Sequence, residues 1–155
     1  IIPNAAKGRV LSGHDDGFHF MGCSGLLKIE NCSWAGLMDD PINIHGTFNT
    51  VTSISSDRRT ITVQYNHHET AGFPNFFKGD EIEFMTKGNM ITVENSVRTV
   101  TKVDGPDGMG GNMGEGSGSL TTIKLTLDKA IPADVQVNQH VVENITYTPA
   151  VNISN

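Results

Sequence analysis

Two pairs of adjacent aspartates carry the chemistry this sequence offers. Asp15 and Asp16 stand in "GHDDGFHF" (13–20) and Asp39 and Asp40 in "GLMDDPINIHG" (36–46), with His14, His19, Asn43 and His45 beside them. Paired carboxylates suit glycoside cleavage, in which one acid protonates the leaving oxygen while another carboxylate activates water or attacks directly. Carboxyl separations of roughly 6.5–9.5 Å imply inversion, and about 5–5.5 Å retention. Taken singly, either pair also reads as turn chemistry, because "DDG" and "DDP" both start turns and Asp caps local N–H groups.

Recurrence weighs against the turn reading. Superposing the two segments places Asp15 on Asp39, Asp16 on Asp40, Phe18 on Ile42, His19 on Asn43 and Phe20 on Ile44, an offset of 24 residues. A fixed period between about 20 and 50 residues marks solenoids and arrays. Apolar positions fall on apolar ones, and "LLKIENC" extends the pattern with Leu27 and Ile29 inward and Lys28 and Glu30 outward. On successive coils the aspartates would stack at about 4.8 Å, gathering up to four carboxylates on one face. Such charges repel, and a fold has no structural need of them. Pro41 biases Asp40 towards extended backbone and withdraws a donor. A bend there would let Asp39 and Asp40 reach one face, which a regular strand forbids. Gly17 takes the equivalent place one coil earlier. A diagonal pair such as Asp16 with Asp39 is expected to exceed the stacking distance, which would favour inversion.

The elements that must hold these residues are strands. "TVTSI", "TITVQY", "DEIEFM", "NMITVEN", "RTVTKV", "TIKLTL" and "VVENITY" alternate, are rich in Val, Ile and Thr, and are bounded by Gly, Pro, Asn or Asp. The fold class is all-β. The third copy of the repeat, due at residue 51, arrives instead as "VNISN" (151–155), which copies "LKIEN" (27–31). The pattern predicts stacked solenoid coils over 1–46, an inserted antiparallel β-barrel or sandwich over 47–143, and a return to the stack over 144–155.

The remaining motifs read as structure. "DGPDGMGGNMGEGSGS" (104–119) is a flexible surface loop without a phosphate-cradling pattern. His67, His68 and Glu69 are conceivable metal ligands, but adjacent histidines in a strand face opposite ways, so a solvated loop is expected. Cys23 and Cys32 match no metal spacing and read as small buried hydrophobes. Clustered carboxylates can bind calcium, yet no D-x-[DN]-x-[DN]-G loop occurs; neither a metal nor any other cofactor is expected.

Composition narrows the partners. With 37% hydrophobic and 18% charged residues and a net charge of −6, the chain reads as globular and is a poor match for nucleic acid or anionic membranes. No apolar run approaches the roughly 18 residues of a membrane span. The opening "IIPNAAKGRV" carries neither an initiator Met nor a leader and is expected to be the middle of a longer protein.

"GHDDGFHF", the run "C-x8-C-x-W-x-G-L-M-D-D-P-I-N-I-H-G-T" and the closing "VENITYTPAVNIS" together resemble glycoside hydrolase family 110, the bacterial exo-acting α-1,3-galactosidases. The resemblance is close over residues 10–50 and moderate over 141–155. It implies a right-handed parallel β-helix with β-barrel domains inserted, and inverting removal of terminal α-1,3-linked galactose from blood-group-B-type or linear glycans. It also implies three catalytic aspartates: Asp16 as acid, and Asp39 with Asp40 handling the attacking water. Asp15, His14, His19, Asn43 and His45 are then the substrate-binding candidates. The parent protein is expected to be secreted, periplasmic or on the cell surface. Two coils make an incomplete pocket, so the chain alone is expected to be inactive. Open solenoid ends are unpaired edges, which makes a homo-oligomer conceivable.

Two other readings compete. A pectinase-like β-helix hydrolase would need Lys or Arg near the aspartates, and Lys28 is the nearest cation in sequence. A non-catalytic carbohydrate-binding or assembly module would stack sugars on exposed aromatics, for which Trp34, Phe73, Phe76 and Phe77 are the candidates.

Overall fold

In the computed structural model, residues 1–67, 70–71, 73–106 and 122–154 are described. Among the described residues there are ten strands: β1 (Phe18–Met21), β2 (Leu26–Glu30), β3 (Ile42–His45), β4 (Asn49–Ile54), β5 (Thr60–Tyr65), β6 (Glu81–Thr86), β7 (Arg98–Asp104), β8 (Thr122–Leu127), β9 (His140–Asn144) and β10 (Ala150–Ser154); the alternating run "NMITVEN" (89–95) forms none and contributes only the isolated bridge Met85↔Thr92. The only described helices are single 3-10 turns at Ala5–Lys7 and Ile145–Tyr147. Among the described residues no helix is long and apolar enough to cross a membrane.

The chain divides into two units, residues 1–46 with 147–155, and residues 47–146. The second is a closed barrel of six antiparallel strands in the order β4-β5-β8-β7-β6-β9. Asn144 belongs to β9, where it pairs with Ile82, so the last barrel strand runs past residue 143, where the insert was expected to end. Alternation does the building. Ile61, Val63 and Tyr65 of β5, Ile82 and Phe84 of β6, and Ile123, Leu125 and Leu127 of β8 all point into the barrel and are buried. Closure gives every barrel strand a neighbour on each side.

Polar side chains close the barrel ends. The buried Arg98 guanidinium donates to the carbonyls of Ala130 (2.9 Å), Asn95 (2.8 Å) and Val97 (2.7 Å). Buried Asp80 accepts from the Phe77 backbone N–H at 2.7 Å and from Asn144 Nδ2 at 2.6 Å, tying the exit strand β9 to the turn before β6. The Tyr65 hydroxyl donates to the Phe73 carbonyl, and burial pushes this phenol up to about 12.

The first unit consists of two parallel ladders. β1 pairs with β3 (Phe18↔Ile42, His19↔Asn43, Phe20↔Ile44, Met21↔His45), and an isolated bridge joins Gly13 to Leu37 in the same register. β2 pairs with β10 (Leu27↔Val151, Lys28↔Asn152, Ile29↔Ile153), across the whole length of the barrel in sequence. Two two-stranded ladders are not by themselves a β-helix, and the described architecture is all-β with one closed antiparallel barrel. Cys23 and Cys32 are free and half-buried rather than buried.

Candidate active site

The two aspartate segments are stacked by backbone hydrogen bonds. Gly17 N donates to the Asp40 carbonyl at 2.8 Å, and Phe18 N to the Pro41 carbonyl at 3.1 Å. Met38 N closes the other side on the Gly13 carbonyl at 3.3 Å. Only glycine tolerates position 17, since a β-carbon there would lie 2.6 Å from the Pro41 carbonyl oxygen and 2.7 Å from the Trp34 ring. Gly36 is similarly constrained, with φ of 65° and no room beside the Val10 carbonyl. Trp34 packs edge-on against Phe18 at 5.3 Å, under the strand that carries His19.

This stacking brings three carboxylates together. One oxygen from each of Asp16, Asp39 and Asp40 lies within 4.8 Å of one from each of the others. Asp39 Oδ1 also accepts from the Asp40 backbone N–H at 2.9 Å, a local cap that fixes the bend before Pro41. The diagonal distance between coils was expected to exceed the strand spacing. Nearest oxygens no further apart than 4.8 Å do not support that, so the spacing supplies no ground for inversion. Such a spacing would also admit a cation, but exposed acidic groups commonly cluster without one.

Asp16 is the member with a built environment. Its side chain is 10% exposed, and its Oδ2 accepts from Asn43 Nδ2 at 3.0 Å and lies 3.0 Å from His19 Nδ1. His19 Nε2 in turn meets His45 Nε2 at 2.6 Å, with the ring centroids 4.9 Å apart, and His45 Nδ1 meets the Gly46 carbonyl at 2.8 Å. Asn43, His45 and His19 share one face because outward positions recur every second residue on paired strands.

The fourth carboxylate stands apart. Asp15 is 92% and His14 83% exposed, and they pair with each other at 2.8 Å. That hydrogen bond, and then the Asp15 charge, raise the His14 imidazole above its usual range, with a smaller contribution from Asp39. Asp16, Asp39, Asp40, His19, Asn43 and His45 thus converge, whereas Asp15 and His14 form a separate solvated pair. The His19–His45 contact was not read from the sequence. Its signal was present, since His45 stands two residues beyond Asn43, the partner of His19, on the same face.

The other candidates are dispersed. Lys28 is held by Glu30 at 2.9 Å. Phe76 is a core residue of the barrel, Trp34 is half-buried, and Phe73 and Phe77 are exposed. His68 and Glu69 lie outside the described residues, as does most of the glycine-rich stretch.

Comparison with known proteins gives a consistent picture. Residues 60–107, within the barrel, match the family model described as GLAA-B beta-barrel domain II. Alpha-1,3-galactosidase B of Bacteroides thetaiotaomicron is 44% identical over 100% of this chain, and alpha-1,3-galactosidase A of Streptomyces avermitilis 41% identical over 98%. Alpha-1,3-galactosidase A of Akkermansia muciniphila is 31% identical, again over 100% of the chain. In each case the chain spans 23% of the relative's length.

Proposed function

From the premise that this chain belongs to the α-1,3-galactosidases of glycoside hydrolase family 110, we propose that it is the part of a longer glycosidase that carries the catalytic aspartates. The substrate is a galactose-terminated oligosaccharide, with α-1,3-linked galactose at the end of blood-group-B-type or linear glycans. The convergence of Asp16, Asp39 and Asp40 carries this reading, because it turns two separate sequence motifs into one carboxylate cluster.

In this reading Asp16 protonates the leaving oxygen. Its shielded side chain and its contacts to Asn43 and His19 hold one orientation, as a proton donor needs. Asp39 and Asp40 face water and take the proton of the attacking molecule, with inversion at the sugar carbon; that stereochemistry rests on the family resemblance alone. The division uses carboxylates without a metal, so chelation is expected to leave turnover intact, and loss on chelation would place a cation on them instead. The parallel ladders at a 24-residue step (Phe18↔Ile42) support a right-handed β-helix completed by coils of the parent. The reading extends to a secreted, periplasmic or cell-surface parent. Lys28, being paired with Glu30, offers little to an acidic substrate, which weighs against the pectinase-like alternative.

The test is galactose release from an α-1,3-linked galactobiose by the full-length protein, beside its Asp16→Asn, Asp39→Asn and Asp40→Asn forms. Folded variants that retain full activity would return "DD" to turn chemistry. A full-length protein that never releases galactose would overturn the substrate.

A further inference from the structure

Backbone hydrogen bonds fix the chain beside Asp16 but not its carboxylate. Gly17 N on the Asp40 carbonyl and Phe18 N on the Pro41 carbonyl hold the backbone in place. Two side-chain torsions remain. The second, from a tetrahedral to a trigonal carbon, has a broad two-fold preference in place of sharp wells. A carboxylate left to that torsion sweeps both oxygens over a wide arc, and a misplaced reacting group is costly to turnover.

Among the described residues, Asn43 is the one that donates a hydrogen bond to the Asp16 side chain, from Nδ2 to Oδ2 at 3.0 Å. His19 Nδ1 lies 3.0 Å from the same oxygen as an ion-pair contact, while its Nε2 is engaged by His45. Asn43 reaches Asp16 because it stands on β3 directly opposite His19, on the face where the turn before β1 ends. Its Nδ2 carries two protons and no lone pair, so it faces an acceptor whether Asp16 is ionised or not. With Asp16 ionised, Oδ2 accepts as a carboxylate oxygen; with a proton on Oδ1, it accepts as a carbonyl oxygen. An amide does not titrate with carboxylates and imidazoles, so this contact persists where a histidine in the same place would change its donors.

We propose that Asn43 is a positioning residue: it clamps Oδ2, leaves Oδ1 as the oxygen of Asp16 that exchanges a proton, and acts on the reaction through Asp16 and not by holding the sugar. This rests on the reading of Asp16 as a catalytic carboxylate, and it takes Asn43 out of the substrate-binding set. With Asp16 as the acid, the O–H bond on Oδ1 breaks and another forms on the leaving oxygen. The carboxylate left behind keeps its hydrogen bond from Asn43, so it takes up its next proton on the same oxygen.

In the full-length protein, Asn43→Leu, nearly equal in size and without a donor, is expected to lower kcat on an α-1,3-linked galactobiose by about 10–10²-fold while KM moves by less than about 2-fold. Asn43→Ala is read the same way and guards against a leucine that disturbs the fold. A rise in KM as large as the fall in kcat would make Asn43 a sugar ligand, and a wild-type kcat would reduce it to packing; either result overturns the proposal. The double variant Asp16→Asn with Asn43→Leu is expected to lose far less than the product of the two single losses, because both act at one carboxylate. Losses that multiply would separate the two residues and overturn the proposal as well. Crystal structures of the full-length wild type and Asn43→Leu decide the clamp without turnover: in the variant the Asp16 carboxylate is expected to rotate or to take more than one position. A carboxylate unmoved by the substitution would overturn the clamp. Should the full-length protein release no galactose, the galactosidase reading fails while the crystal structures still decide the clamp, so the two failures are distinguishable.

Discussion

Ile29 of β2 and Ile123 of β8 come from similar alternating runs, and both are buried, yet their cross-strand neighbours fare differently. Val63, opposite Ile123, is fully buried, whereas Ile153, opposite Ile29, is 54% exposed. Every barrel strand has two neighbours and every ladder strand has one. The barrel can therefore form a dry core from its own strands, while the ladder unit shows its apolar side at Val151 and Ile153. Closure, more than composition, separates a self-sufficient element from one that needs further strands. The carboxylate cluster stands on the element that does not close.

On the proposed reading, the largest effect expected to separate the two regions is catalytic. Asp16→Asn in the full-length protein is expected to lower galactose release by about 10²–10⁴-fold, the usual worth of a general acid, with the thermal midpoint nearly unchanged. Phe84→Ala in the barrel core is expected to cost about 3–5 kcal/mol in denaturant unfolding. A stability loss in Asp16→Asn as large as that of Phe84→Ala would break the contrast.

The isolated 155-residue chain sharpens it further. Galactose release is expected to be undetectable there, and amide exchange to be slow in β5 and β8 but fast in β2 and β10. In the full-length protein the ladders are expected to become protected. Equal protection of all strands in the isolated chain would show that the ladder unit needs nothing else. Next in size is Gly17→Ala, which forces a β-carbon against the Pro41 carbonyl and is expected to cost about 1–3 kcal/mol while reducing activity more than that loss explains.

The smallest expected effect lies on the barrel. Glu143 faces Glu83 across β6 and β9, and burial, then that like charge, raise its carboxyl above the usual range. A carboxyl raised on folding favours the folded state when protonated. That contribution is present below the ordinary glutamate range and is lost as pH rises through the folded value. Glu143→Gln is therefore expected to raise the midpoint slightly at pH 7, with the gain vanishing near pH 4. A lower midpoint at pH 7 would contradict this sign.

Much of the architecture was legible because strands announce themselves by period. The superposition of Asp15–Phe20 on Asp39–Ile44 anticipated the β1–β3 register, and "VNISN" over "LKIEN" anticipated β10 beside β2. The inserted barrel was readable as a set of strands without that repeat. Its closure and strand order were not, since β5 pairs with β8 and β6 with β9 through contacts that local pattern does not encode. Within the site, the sequence placed up to four aspartates on one patch, and three meet. Asp15 precedes the bend and points its carboxylate at His14, a choice of side-chain direction that spacing leaves open.

Alternation and a 24-residue recurrence, both readable in one dimension, determined which residues face inward and which strands of the two ladders lie in register, because period 2 and a constant coil length are properties of the chain itself. Tertiary structure alone decided that the carboxylates of Asp16, Asp39 and Asp40 meet, that Asn43 and His19 converge on one oxygen of Asp16, and that His45 leans across to His19. Those contacts depend on rotamers and on backbone bends at Gly17 and Pro41, which are set by what packs against them.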